Sequence, residues 1–104
     1  MNNSEKTYLQ IGRSLAGAEE SQMFGKPCFK IKGKAFICLF NDDMVFKLSG
    51  NDHKAAMELK ASVLFDPSGR GRAMKEWVQV SKLNSAQWPE LAPAAMKYVG
   101  SLTK

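Results

Sequence analysis

The segment "CFKIKGKAFICLFNDDMVFKLSG", from Cys28 to Gly50, constrains the fold more than any other part of the chain. Its side chains sort with period two onto two faces. The segment is cut by "KGK" and "NDD", so it reads as a three-stranded antiparallel meander. A two-residue turn at Gly33-Lys34, of the type with glycine first, sets Ile31 opposite Phe36 and Phe29 opposite Cys38. One face then carries Phe29, Ile31, Phe36, Cys38 and Phe40, and a three-residue "NDD" turn adds Met44, Phe46 and Leu48. The other face carries Cys28, Lys30, Lys32, Ala35, Ile37 and Leu39, joined by Val45 and Lys47. A slip of one residue would set Lys30 opposite Phe36 in the core, so the pattern rejects it. In this register Cys28 and Cys38 fall on opposite faces and form no disulfide within the chain, in keeping with a reducing cytoplasm.

The flanks change period. Residues 4–16 suit an amphipathic helix capped by Ser4, with Tyr8, Ile11 and Leu15 at helical spacing and Gly12 and Gly17 weakening it. "NDHKAAMELK" reads as a short helix capped by Asn51 or Asp52, "ASVLF" and "KEWVQV" as strands. Ser85 to Leu102 is helical in two pieces, with Pro89 and Pro93 in first-turn positions and Leu91, Ala95, Tyr98, Val99 and Leu102 in one stripe. The order predicts an α+β domain, its helices layered on an antiparallel sheet. At 104 residues the chain fits one domain, residues 1–104, and its 44% hydrophobic content can build a core without metals or disulfides. No apolar run approaches the roughly 18 residues of a membrane span, and "MNNSEKTYLQIG" shows no secretion signal. The expected setting is cytoplasmic, with no membrane partner.

The search for catalytic chemistry yields little. His53 is the one histidine and reads as a solvated residue at a helix start. Cys28 lacks a base that the sequence places beside it. Two cysteines and one histidine make no zinc signature. Glu19-Glu20 sits at a helix–strand junction. Asp42-Asp43 belongs to a hairpin turn, where aspartate serves the backbone. The stretch "SGRGRAMKEWVQV" has neither nucleotide-loop spacing nor a following helix, so it is no phosphate cradle. No cofactor is expected, and no enzyme.

Binding is a different matter. Lysine and arginine outnumber aspartate and glutamate 15 to 10, a net charge of +5 that mildly favours anionic partners. Candidate contacts to an anion, a nucleic acid or a partner are Lys26, Lys30, Lys32, Lys34, Lys47, Arg70, Arg72 and Lys75. "DPSGRGR" forms a loop started by Asp66-Pro67. Its charge suits either a mobile cationic tip or ordinary solubility. The lysine-bearing sheet face admits two readings. Either a helix edge or loop covers its apolar centre while lysines snorkel at the rim, or the face docks a partner or a second copy. Trp77 is expected to pack internally or meet a partner rather than stack on bases.

"MFGKPCFKIKGKAFICLF", "MVFKL", "LFDP" and "GRGRAMKEWVQV" follow one another in the manner of the TfoX N-terminal domain family, and from about Met23 to Lys82 the chain resembles it. The most specific pieces are Met23-Phe24-Gly25, Gly33-Lys34 with Phe36, and Gly71-Arg72 with Met74-Lys75-Glu76-Trp77. The resemblance implies an α+β fold of YjbR-like architecture, with a curved antiparallel sheet and packed helices. It implies a bacterial regulatory role without catalytic residues, since TfoX-type proteins regulate competence genes together with a transcription factor. Such proteins usually add a C-terminal helical domain, and the present sequence ends at Lys104. The expected function is that of a non-enzymatic regulatory or binding domain acting through protein partners, as a homodimer or with another chain. The alternative is weak direct nucleic-acid binding through the basic sheet face and the 68–75 loop.

Overall fold

The protein is described by a computed structural model covering residues 3–23, 25–67, 71 and 73–102. Its elements run α1 (Asn3–Ser14), β1 (Glu19–Met23), β2 (Lys26–Ile31), β3 (Lys34–Phe40), β4 (Asp43–Lys47), α2 (Gly50–Met57), β5 (Val63–Phe65), β6 (Met74–Val80), a short 3-10 turn (Lys82–Asn84) and α3 (Trp88–Leu102). The six strands form one sheet in the order β1-β2-β3-β4-β6-β5, every neighbour antiparallel. This is the α+β architecture expected, with one strand more at the front: "EESQM", where the period changes to two at about Glu20, forms an edge strand outside the three-stranded meander.

The hairpin turns differ from expectation, and the difference moves residues between faces. The first turn is Lys32-Gly33, not Gly33-Lys34. Both residues have positive φ, 53° and 80°, and Ile31 pairs with Lys34. Two left-handed residues in succession make the turn whose twist matches a hairpin. The second turn is likewise two residues long, Asn41-Asp42 at φ 49° and 68°, with Phe40 opposite Asp43. Between these turns the β2–β3 register shifts. Lys30 faces Ala35 while Phe29 faces Ile37, leaving Phe36 as the extra residue of a bulge. Strict alternation cannot send two adjacent side chains to one face; a bulge can. Phe36 and Ile37 therefore both enter the helix-side core.

Beyond the bulge the parity is inverted relative to expectation. Ile37 and Leu39 pack with the main core, whereas Cys38 lies on the other face with Phe40 packed against its cluster. Cys28 and Cys38 are therefore not on opposite faces: they are direct cross-strand partners, both free thiols and both 1% exposed.

All three helices contribute to one core. Tyr8 and Ile11 of α1, Ala56 of α2, and Trp88, Ala92, Ala95 and Val99 of α3 are buried against Phe29, Phe36, Ile37, Met44, Phe46, Val78 and Val80. Gly12 is buried because α1 sits on the Phe29 ring; a Cβ there would lie 2.1 Å from Phe29 Cε2. The glycine that weakens the helix is the one that lets it dock. Helix ends also differ in detail. Ser4 lies inside α1, the residue that precedes α2 is Ser49 rather than Asn51 or Asp52, and Pro93 lies within α3. The α3 stripe includes Trp88 and Ala92 and releases Leu102, which is 52% exposed.

Candidate functional site

A second apolar cluster occupies the opposite face of the sheet. Its buried members are Cys28, Cys38, Val45, Phe65 and Trp77, with Met23, Ala35, Phe40 and Met74 partly buried around them. Every one of these residues lies on a strand, so among the described residues no helix contributes to this face.

Curvature does the covering instead. Neighbouring strands lie about 4.8 Å apart, so β3 and β5, three steps removed, would be roughly 14 Å apart in a flat sheet. Yet the rings of Phe40 on β3 and Phe65 on β5 meet edge to face, with centroids 5.1 Å apart. The sheet curls around the cluster without closing. Register shifts between Phe29 and Lys30 and between Leu64 and Phe65 mark irregularities of the kind that increase strand bending.

The candidate cations divide over this frame. Lys26, at the start of β2, holds its ammonium 5.5 Å from the centre of the Phe40 ring, within cation–π range. Two-residue steps along β2 place Cys28 and Lys30 on the same face as Lys26, and Lys30 pairs with Ala35 of that cluster. Lys47 pairs across the ladder with Trp77, and its Nζ lies 3.9 Å from Glu76 Oε1. Strand register places these three lysines at the border of the helix-free face, with the Lys47 ammonium turned toward the Glu76 carboxylate. Lys32 does not join them: it sits in the turn and donates to the Gly100 carbonyl oxygen near the end of α3, at 3.3 Å. Lys34 is exposed beside the same turn, and Lys75 is exposed on β6. Arg70 and Arg72 lie outside the described residues. Of their loop, Gly71 takes φ 77° and donates its N–H to Asp66 Oδ2 at 2.8 Å, which ties the loop base as the Asp66-Pro67 signal suggests.

Other groups singled out from the sequence have structural partners. Nε2 of His53 is 2.8 Å from the Lys75 carbonyl oxygen, so that nitrogen carries a proton and donates; the residue is half-buried and tethered rather than freely solvated. Asp43 accepts from Gln79 Nε2 at 2.9 Å and from the Lys82 backbone N–H at 3.0 Å, pinning the 3-10 turn to β4. Glu20 pairs with Arg13 at 2.9 Å. The Tyr98 hydroxyl donates to Glu76, which links α3 to the Lys47 contact; nothing in the sequence pattern announces this chain of contacts.

Burial pushes the Cys38 thiol up to about 12, with the neighbouring Cys28 adding to the effect. Burial also raises Cys28, against the opposing pull of Lys30 and a hydrogen bond from Ser21. Both are thiols, not thiolates, at neutral pH. Among the described residues no three of His, Cys, Asp and Glu gather as metal ligands. A cleft of about 170 Å³ lies elsewhere, between Asn3, Ser4 and Thr7 of α1 and Lys82, Ser85 and Trp88, and includes one lysine but none of the candidate cations.

No protein-family description, curated protein or solved structure matches this chain.

Proposed function

We propose that the chain is a non-enzymatic regulatory or binding domain of the TfoX N-terminal kind, acting through a protein partner that docks on the helix-free sheet face. The family part of this reading rests on the ordered sequence pieces between Met23 and Lys82. The docking part rests on one observation: Lys26, Lys30 and Lys47 border a face whose apolar cluster no described helix residue joins. Partly buried Phe40, Met23 and Met74 supply apolar contact there, and the lysines favour carboxylates on the partner. A symmetric homodimer through this face would set like charges against each other, which disfavours a second copy as the occupant.

The test is affinity capture from a bacterial lysate, with and without nuclease. It compares wild type with Lys26→Glu/Lys30→Glu and with Lys6→Glu/Lys97→Glu as an off-face control. The proposal expects nuclease-resistant capture that the on-face variant loses and the control keeps. Capture retained by the on-face variant sinks it. Capture abolished by nuclease favours direct nucleic-acid binding instead. Three lysines at most about three phosphates deep would then give a logarithmic salt slope near −3 on duplex DNA.

A further inference from the structure

The bulge at Phe36 brings Cys28 and Cys38 face to face across β2 and β3. Facing residues of an antiparallel pair have Cα atoms about 4.5–5.5 Å apart. That separation falls inside the roughly 4.4–6.8 Å that a disulfide spans. Both side chains enter the same cluster, and both are 1% exposed. The pairing thus meets the Cα spacing that a bridge between the two sulfurs requires.

We propose that Cys28 and Cys38 form a reversible redox pair, a dithiol that a small-molecule disulfide such as oxidised glutathione converts into an intrachain bridge. The chemistry is two exchanges. The Cys28 thiolate attacks one glutathione sulfur, the glutathione S–S bond breaks, and the departing thiolate takes up a proton. The Cys38 thiolate then attacks the Cys28 sulfur of the mixed disulfide and expels the second glutathione. Two electrons pass from the cysteine pair to one glutathione disulfide, which leaves as two thiols carrying the two protons lost. Cys28 takes the first step because Ser21 faces it across β1 and Lys30 follows two residues on along the same face of β2, both favouring its thiolate, whereas the cross-strand partners of Cys38 are Cys28 and the apolar Val45. Burial makes the exchange slow and dependent on local opening. The bridge ties β2 to β3 beneath the helix-free face. Its formation does not rest on the docking proposal.

The equilibrium with reduced and oxidised glutathione is measured by acid quench and mass spectrometry. It is approached from both reduced and oxidised protein, so that slow access is not mistaken for instability. The ratio of bridged to reduced protein at fixed glutathione should be about tenfold higher or more in the native state than in denaturing urea. By the thermodynamic cycle, oxidation then raises the folding constant by the same factor. Peptide mapping should find the Cys28–Cys38 linkage. Cys38→Ala should accumulate the mixed disulfide faster than Cys28→Ala. A native ratio no higher than that in urea, bridges only between chains, or equal rates in the two single variants would overturn the proposal.

Discussion

Replacing Gly12 by alanine sets two well-measured effects against each other. In an isolated helix the change gains about 1 kcal/mol, since glycine is the poorer helix former. In this fold the new methyl would meet Phe29 at 2.1 Å from Cε2, 2.2 Å from Cζ and 2.4 Å from Cδ2. Carbon atoms in contact prefer about 3.5–4.0 Å, so the ring or the helix must yield by more than about 1 Å. The ring has no free space to take: Phe29 is 1% exposed and packs on Tyr8, with centroids 5.2 Å apart. Overpacking of this kind costs typically 1–3 kcal/mol, and a displacement this large belongs at the upper end. The net expectation is a loss of about 2 kcal/mol, or roughly 8 °C in Tm for a domain of this size. Urea and thermal unfolding followed by circular dichroism read both. Phe29→Leu in the same chain should recover part of the loss, with a coupling of about 1 kcal/mol in the double-mutant cycle. A Gly12→Ala variant as stable as wild type, or more stable, would show that α1 does not rest on Phe29 as described.

Three further outcomes test other parts of the structure. Ala61 holds φ at 64° on an exposed turn after α2, so Ala61→Gly should raise the urea midpoint, by about 0.5–1 kcal/mol in stability. Phe40 and Phe65 should show a coupling of about 1 kcal/mol in a double-mutant cycle to alanine; strictly additive losses would mean that the sheet is flat and the rings do not meet. Burial raises the Tyr8 hydroxyl and both thiols above their unfolded values, so these groups stabilise the fold fully below pH 9 and progressively less above it. The unfolded chain then holds fewer protons than the native one, the stability slope is negative, and each group contributes up to about 1.4 kcal/mol per pH unit. Tyr8→Phe also removes a buried hydroxyl that has no hydrogen-bond partner among the described residues, so it should match or exceed wild type at pH 7 and flatten the alkaline decline above pH 10.

The strands of the meander are legible because alternation is a local property, and so is the assignment of Phe29, Met44, Phe46 and Leu48 to the main core. The bulge is not, because the pattern around Phe36 fits two registers and only the packing of α3 against β3 distinguishes them. Ala35 to Phe40 is an unbroken apolar run, so nothing local marks which of its residues is the extra one. The second turn was within reach: Asn41-Asp42 are residues that tolerate positive φ, and a two-residue turn uses both. At the candidate site, the spacing of Lys26, Cys28 and Lys30 is even and therefore readable as one face. Lys32 keeps that parity on paper but sits in the turn, where strand alternation has ended. The curl depends on Phe40 meeting Phe65 across three strands, a contact no short window contains.

Antiparallel sheets with helices on one side commonly leave the other side polar and solvated. This chain instead places Cys28, Cys38, Val45, Phe65 and Trp77 there, so it needs either a second layer or a bend. The bend and the parity change are linked through the same irregularity. The extra residue at Phe36 admits two adjacent side chains to the helix-side core, and it thereby turns Cys38 and Phe40 to the other face. Phe40 then reaches Phe65 and receives Lys26, while Cys38 meets Cys28. The apolar floor is drawn inward and the lysines, whose charge cannot follow it, stay at the edge. A surface built this way offers a ligand little apolar area at its centre and positive charge around it. Under the proposed docking, carboxylates reaching the rim would contribute more than a large hydrophobic anchor.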